Sequence, residues 1–307
     1  MFDPFVTAAG FLVGVVVGLT GMGGGALMTP MLVLIFGVQP LAAVSSDIVA
    51  SLVMKPIGGG VHWRRGTVHR PLVKWLVVGS VPAAFAGVLI LRAVGRGAQL
   101  EAWIRMALGV ALLVVAAGLI LKPLLSSRRS ADADEILEVK RLPTVVIGIV
   151  GGLVVGMTSV GSGSLMMILL LLLYPGLRLT TLVGTDLVQA VPLVASAAVG
   201  HLLFGEFHFD LTMSILLGAV PGVYVGARLS VRARDHVIRP ALVVVLIASA
   251  LKLLGVGLTA VGIVAAVSTA AGIAFGVWAG RRAVAVAVEG SGVPAPLEPK
   301  APPPTPR

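Results

Sequence analysis

Apolar residues fill most of the chain in runs about as long as a membrane-spanning helix. A bilayer core of roughly 30 Å is crossed by about 20 helical residues, and such runs recur between short polar segments. The pattern predicts spanning helices over 41–61, 72–92, 103–122, 179–203, 211–230, 237–257 and 259–280. The fold class that follows is an all-α polytopic membrane protein.

Two further apolar segments, 8–36 and 143–174, do not fit a simple crossing. The first has 29 residues and would be about 43 Å long as a helix, too long for one ordinary crossing and too short for two. Glycines interrupt it, in the stretch LTGMGGGAL at 19–27. We predict that each segment is a re-entrant pair of half-helices that crosses nothing. A single broken crossing is the competing geometry.

The sequence contains an internal repeat. Gly18-Leu-Thr-Gly-Met-Gly-Gly-Gly aligns with Gly156-Met-Thr-Ser-Val-Gly-Ser-Gly, and after one inserted residue further matches follow in order. The matched pairs are Asp47 with Asp186, His62 with His201, Gly66 with Gly205, Gly79 with Gly218, Pro82 with Pro221 and Gly87 with Gly226. The predicted units are a first membrane repeat at 8–122, a charged linker at 123–142, a second repeat at 143–257 and an extra helix at 258–282. A Pro-rich tail, predicted to be disordered and cytoplasmic, occupies 283–307.

Loop charges predict that the two repeats have opposite orientations. The loop at 63–70 contains Arg64, Arg65 and Arg70, whereas the equivalent loop at 204–210 has no Lys or Arg. Because basic loops stay in the cytoplasm, the two loops belong on opposite sides. The cytoplasmic segments would be 63–71, 122–142, 228–239 and the Arg281-Arg282 pair, with Arg92, Arg96 and Arg105 as exceptions. An inverted repeat needs an odd number of crossings per copy, and re-entrant first segments leave three helices in each.

Composition removes several function classes. The chain is 57% hydrophobic and 12% charged, with a mean hydropathy of +1.05, which only a membrane protein tolerates. The net charge of +10 lies mostly in loops, so it indicates topology and not nucleic-acid binding. With no cysteine, no zinc-type histidine spacing and no GxxxxGK[ST] motif, we predict no metal, no cofactor and no ATP hydrolysis.

The glycine-rich breaks are the predicted substrate site. Irregular backbone at membrane depth must be buried in protein or line a wet cavity, and the unpaired amides around Gly24 to Leu27 would attract an anion. The predicted binding set is Thr20, Gly23, Gly24, Gly25, Thr158, Ser159, Gly161, Ser162, Gly163 and Ser164. Helix packing through small residues is the alternative, and it is favoured for Gly14, Gly18, Gly152 and Gly156.

Ionisable residues inside apolar runs indicate further functional positions. Asp47 and Asp186 are predicted either to couple transport to an ion or proton, or to cap their helices and anchor the adjacent turns. Lys55 joins the binding set either as a counter-charge for the substrate or as a buried partner of an aspartate. His62 and His201 are expected to be solvated near a membrane interface. Gln189 is a candidate for the cavity, and Pro82 and Pro221 are expected to kink matched helices.

The motifs together resemble the TauE/SafE family of sulfite and organosulfonate exporters. The resemblance rests on the glycine-rich tip, on the turn Pro40-Leu-Ala-Ala-Val-Ser-Ser-Asp47, on the region of His62 and Gly66, and on the duplication of this set. It covers residues 8–257 and implies a permease for small sulfur-containing anions such as sulfite. Ser159 and Ser162 depart from the glycines of the first copy. Branches that handle thiosulfate through cysteines are a poor match.

The predicted function is therefore a secondary transporter of the inner membrane, driven by an ion or proton gradient, with a small anion and the lipid bilayer as its partners. A passive anion channel and a non-transporting scaffold subunit remain alternatives, and the sequence does not define an oligomeric state. An intramembrane hydrolase that uses Ser162 and a histidine is disfavoured, because Val160 stands where a Gly-x-Ser-Gly motif needs glycine.

Overall fold

A computed structural model describes residues 3–20, 24–95, 97–126, 138–229, 235–257, 259–264 and 266–267. These residues form helices and connecting segments and contain no strand, which confirms the all-α prediction. The helices are α1 (Pro4–Thr20), α2 (Gly25–Leu34), α3 (Pro40–Arg64), α4 (Arg70–Val94), α5 (Ala98–Ser126), α6 (Arg141–Thr158), α7 (Leu165–Leu173), α8 (Leu179–Phe204), α9 (Phe209–Leu229) and α10 (Asp235–Leu253).

Six of these helices, α3, α4, α5, α6, α8 and α9, are long and apolar enough to cross a membrane. The chain is therefore a multi-pass membrane protein, and five of its predicted spans coincide with α3, α4, α5, α8 and α9. The predicted span at 237–257 coincides with α10, which counts only as a shorter apolar helix. Of the predicted span at 259–280, residues 259–264 and 266–267 are helical. The remainder, the tail from 283 and most of the charged linker lie outside the described residues.

The loop before α4 shows how a polar residue begins one of these helices. His69 is the N-cap, and its Nδ1 accepts a hydrogen bond of 3.3 Å from the backbone N–H of Leu72. Burial lowers the pKa of His69 below its usual value, which keeps the ring neutral and able to accept this bond. A proline follows within the first turn, where its missing N–H costs nothing.

The second broken segment is a helical hairpin. Tyr174 directly follows α7, and its hydroxyl accepts a hydrogen bond of 3.0 Å from the backbone N–H of Lys140, which directly precedes α6. The same hydroxyl lies 2.6 Å from Thr144 Oγ1. The end of α7 thus returns to the start of α6, whereas a single broken crossing would place these ends far apart.

The first broken segment folds in the same way. Residues at the start of α1, Asp3 and Val6, share the lining of one cavity of about 500 Å³ with Phe36 and Val38, which follow α2. The end of α2 therefore lies beside the start of α1. Both glycine-interrupted segments return to the end of the molecule from which they began.

Replacing Tyr174 with phenylalanine should loosen the second hairpin. The change removes the hydroxyl and leaves the Lys140 amide without its partner, which should cost about 1–3 kcal/mol of stability. Thermal unfolding in detergent would measure the loss. The matched control is Tyr224→Phe, because Tyr224 is 58% exposed and is the other of the two tyrosines. Equal unfolding temperatures for the two variants would contradict the role of the hydroxyl.

Glycines bring pairs of helices from different repeats into backbone contact. A Cβ atom on Gly152 of α6 would overlap the carbonyl oxygen of Ser80 on α4, and one on Gly156 would overlap that of Ala84. Gly14 of α1 lies equally close to Ala219 of α9. The packing interpretation of these three glycines is confirmed, and that of Gly18 stays a prediction.

Matched helices α3 and α8 run in opposite directions along each other. Near the start of α3, Ser45 contacts His201 in the last turn of α8. Near the start of α8, Gly184 lies against His62 in the last turn of α3, since a Cβ atom there would be 3.0 Å from His62 Nδ1. The first and second repeats therefore meet through equivalent helices of opposite direction.

Candidate functional site

The second break lies between the end of α6 at Thr158 and the start of α7 at Leu165. Its backbone takes left-handed angles at Ser159 (φ 60°), Gly161 (φ 118°) and Gly163 (φ 109°). Ser159 is unusual there, because residues with a Cβ atom rarely adopt positive φ. Ser162 and its neighbours are buried, so the irregular backbone is enclosed by protein, as membrane depth requires.

The carboxylate of Asp47 joins this break to two helices of the first repeat. Asp47 lies on α3 and is fully buried, and its Oδ2 accepts hydrogen bonds from Ser159 Oγ at 2.7 Å and from Thr29 Oγ1 of α2 at 2.9 Å. Its Oδ1 and Ser46 Oγ are buried without a hydrogen-bond partner in the part of the chain that is described. An unsatisfied buried polar atom is costly, so this is a position where a ligand atom would be favourable.

The two aspartates do not cap their helices. The N-cap residues are Gln39 for α3 and Arg178 for α8, and both aspartates lie beyond the first turn, so the capping alternative is wrong. The hydrogen bond of Asp47 reaches Ser159 in the second break and not the turn before its own helix, so anchoring of the adjacent turns stays a prediction. Asp186 Oδ1 accepts a hydrogen bond of 2.9 Å from Gln189 Nε2.

Asp186 also lies near the second break, where the backbone of Gly163 acts on its carboxylate. Its partner Gln189 is fully buried, and Gln189 Oε1 accepts a hydrogen bond of 3.3 Å from Ser80 Oγ of α4. A place for Gln189 in the substrate cavity stays a prediction. Both aspartates therefore lie beside the same turn, and Asp47 is hydrogen-bonded to it.

Lys55 directs its ammonium group into the second break. It is 7% exposed, and Nζ donates a hydrogen bond to Ser162 Oγ. The ion pair found among the described residues joins Arg105 and Glu101 on the surface, at 3.7 Å. No carboxylate within this part of the chain contacts Lys55 directly. Asp186 and Asp47 are the charged groups that act on it through space. Whether Lys55 is a counter-charge for the substrate or a buried partner of an aspartate therefore stays a prediction.

The two breaks touch at Gly25. This residue begins α2, and a Cβ atom on it would overlap the carbonyl oxygen of Ser159 and lie 3.0 Å from Ser159 Oγ. Gly24 has more space, since the nearest atom to a Cβ there is Met54 Cε at 3.7 Å. The two segments of the predicted site are therefore in contact, and their role in binding stays a prediction. Gly23 lies outside the described residues.

Several predicted donors are used within their own helices. Thr20 Oγ1 donates to Val16 O at 2.8 Å, and Thr158 Oγ1 donates to Val154 O at 2.6 Å. Ser164 is the N-cap of α7, is 6% exposed and makes no side-chain capping bond. Two hydroxyls of the break contact ionisable groups instead: Ser162 the Lys55 ammonium and Ser159 the Asp47 carboxylate.

His201 is not solvated, contrary to expectation. It is fully buried, with Nδ1 2.8 Å from Ser45 Oγ and Nε2 donating to the carbonyl oxygen of Gly156 at 2.8 Å. The reason is that the end of α8 is covered by the start of α3 and the end of α6. His62 is half-buried and its Nδ1 lies 2.8 Å from Thr67 Oγ1.

Sequence reasoning missed three polar residues of this region: Thr29, Ser45 and Ser80. Thr29 and Ser80 are lone hydroxyls in apolar runs, Ser45 is the first residue of Ser45-Ser46-Asp47, and all three are fully buried. A hydroxyl of that kind usually bonds its own helix, so the sequence offered no signal for contacts that cross between helices. Only the packing of the two repeats reveals them.

Comparison with known proteins places the chain in a family. The family model described as "Sulfite exporter TauE/SafE" matches residues 6–253. The chain is 38% identical over 248 residues to "Probable membrane transporter protein YjnA" of Bacillus subtilis (strain 168), covering 80% of this chain and 97% of that protein. It is 26% identical over 224 residues to "Probable membrane transporter protein YdhB" of the same organism, covering 71% and 86%. No solved structure matches it. A buried, doubly broken helical site and a match over nearly the whole chain lead to one conclusion: this protein belongs to the sulfite exporter TauE/SafE family.

Proposed function

We propose that the protein is a secondary transporter that exports a small sulfur-containing anion, such as sulfite or an organosulfonate, across the inner membrane. The observation that carries the proposal is the Lys55 ammonium, which is buried at the second break and contacts a hydroxyl instead of a carboxylate. Asp47 and Asp186 act on this ammonium only through space, and a buried cation is costly without an anionic partner in direct contact. A small anion at the break would supply that partner.

The proposed ligands are Lys55, Ser162 and the backbone amides of the two breaks. Gly161 and Gly163 have no side chain and take positive φ, so their amides can approach an anion closely. On the opposite side, Gly25 opens α2, and the positive end of that short helix points into the site. A desolvated sulfite or sulfonate group has three oxygens, and charge-assisted hydrogen bonds from such donors would replace its hydration.

Asp47 and Asp186 are the proposed coupling groups. Each is buried. Asp47 is hydrogen-bonded to Ser159 of the second break, and the backbone of Gly163 in the same break acts on the Asp186 carboxylate. Adding a proton or a cation at either carboxylate would change its hydrogen bonds to the break that also holds the anion. Binding of the driving ion and of the substrate would thereby be linked.

An inverted repeat with two re-entrant hairpins is the proposed architecture. Three observations support it: α3 and α8 run antiparallel, the α1–α2 and α6–α7 hairpins return to their own starting ends, and the hairpins begin at opposite ends of α3. Although α6 is long enough to cross a membrane, its return through α7 favours re-entry. The basic loop at 63–71 would then face the cytoplasm, as would the C-terminal tail. Alternating access would arise from rocking of one repeat against the other.

Counterflow in proteoliposomes tests this function. Labelled sulfite added outside should accumulate transiently in vesicles that are preloaded with unlabelled sulfite. The uptake rate should saturate with sulfite concentration, and any electric current should be limited to the charge that moves with each transported anion. Protein-free vesicles are the control for leak. An ohmic sulfite current without counterflow would identify a channel, and the absence of any sulfite flux above the control would contradict the proposal.

A further inference from the structure

A second polar cavity, of about 430 Å³, lies at the end of the molecule opposite the basic loop 63–71. The end of α4 and the end of α8 contribute Arg92, Gly205 and Glu206 to its lining, and the starts of α3 and α5 contribute Leu41 and Leu100. The Arg92 guanidinium is exposed and stacks 4.5 Å from the centre of the Phe204 ring. It places a fixed positive charge at the mouth, across from the single acidic residue, Glu206.

The hydrogen-bonded pair of Ser45 and His201 lies directly beneath the floor of this cavity at Gly205. Gly205 lines the cavity, and a Cβ atom on it would meet Ser45 Oγ and lie 2.9 Å from His201 Nδ1. Both side chains of the pair are fully buried and neither lines the cavity itself, so Gly205 is the layer between the cavity and the pair.

The same pair is attached to the site on its inner side. His201 Nε2 donates to the carbonyl oxygen of Gly156. The amide that would bond this carbonyl in a continuous helix, that of Val160, bonds Thr158 Oγ1 instead because the helix is broken there. Ser45 is followed by Ser46 and Asp47, whose Oγ and Oδ1 atoms are the buried unsatisfied pair. A route from the cavity to Asp47 on this side of the molecule would therefore have to pass this histidine and serine.

We propose that this cavity is the outer half of the anion pathway, with Arg92 as its first binding position and the Ser45–His201 pair as its gate. The inference rests on the proposed function. Two hydrogen bonds from a single imidazole hold the ends of α8, α3 and α6 together, so their loss would free the floor of the cavity in one step. The equivalent position near His62 lacks a serine, since Gly184 aligns with Ser45, so the gate belongs to one repeat only.

Cysteine labelling tests the gate directly, because the chain has no cysteine of its own. Ser46→Cys would be exposed, in intact cells, to a membrane-impermeant anionic methanethiosulfonate. In the otherwise unaltered protein we expect slow labelling. Adding Ser45→Ala or His201→Ala removes a buried hydrogen bond and should raise the labelling rate at least about tenfold. Ser45→Ala keeps the imidazole in place, so it decides the question if His201→Ala does not fold.

Two control positions, one accessible and one protected, calibrate the labelling rate. Leu203→Cys, in the cavity wall and 64% exposed, should be labelled equally fast in all backgrounds. Thr185→Cys, buried at the opposite end of α8, should stay protected in all of them. Arg92→Gln should slow labelling of the open variant by the anionic reagent and leave labelling by a neutral reagent unchanged.

Unchanged protection of Ser46→Cys in both gate variants would overturn the inference. So would equal effects of Arg92→Gln on the anionic and the neutral reagent. The readout needs no substrate, so a failed sulfite counterflow with positive labelling would refute the substrate and keep the pathway. Intact counterflow with protected Ser46→Cys would refute the pathway alone.

Discussion

Replacing Lys55 with methionine should abolish sulfite counterflow while the protein stays folded. The change removes the ammonium at the second break and keeps a side chain of similar length. A charge-assisted hydrogen bond to a buried anion is worth about 1.5–3 kcal/mol, and the loss of the whole charge in a dry site should exceed that, so exchange should fall by about 100-fold or more. Stability should not fall, because removal of a buried charge without a direct ion pair is often neutral or stabilising.

The measurement is the initial rate of labelled sulfite exchange, with thermal unfolding of the same preparation as the folding check. Lys74→Met is the matched control, since Lys74 is exposed and lies 5.9 Å from the centre of the Trp75 ring. Its exchange rate should equal that of the unaltered protein. If the Lys55→Met variant exchanged sulfite at a normal rate, the Lys55 ammonium would not be part of the substrate site.

The helices and their order could be read from the sequence because lipid imposes a length and a composition on every crossing. The runs around α3, α4 and α8 are long, apolar and separated by basic or turn-forming residues, and the glycine clusters correctly marked where α1 and α6 end. These signals are local. Each depends on the residues of one segment and on the thickness of a bilayer, and not on which segment packs beside it.

The contacts of the site could not be read in this way because they join distant positions. Asp47 meets Ser159 across the two repeats, and nothing near either residue specifies the other. The burial of His201 is of the same kind, since a histidine at the end of an isolated helix would be solvated. It is covered because Ser45 and Gly156 come from other helices. The repeat indicated which segments correspond, but not which side chains meet.

The two copies have also diverged at the site, which the alignment alone could not interpret. Val194 stands at the position of Lys55, and Gly184 stands at the position of Ser45. The first repeat therefore supplies the ammonium, while the second supplies the turn that the ammonium contacts. A transporter built from two equal halves needs such differences if one substrate is to bind between them in one orientation.

Replacing Gly25 with alanine should disable the transporter, whereas the same change at Gly24 should be nearly neutral. A methyl group on Gly25 would overlap the carbonyl oxygen of Ser159, and backbone on both sides of the contact cannot yield as a flexible side chain would. Overpacking of this kind costs about 1–3 kcal/mol. It would also push the second break away from Asp47, which binds Ser159 Oγ.

The neighbouring residue Gly24 provides a matched control for this prediction. Gly24 has a helical φ of −58°, and a methyl group there would be 3.7 Å from Met54 Cε, an ordinary contact with a flexible side chain. Sulfite counterflow should drop at least about tenfold for Gly25→Ala, as expected when donor groups move out of position, and should stay near normal for Gly24→Ala. Equal rates in the two variants would mean that the breaks do not have to touch during transport. A site formed between them would then lose its physical basis, because the amides that open α2 could not reach an anion held by Lys55 at the second break.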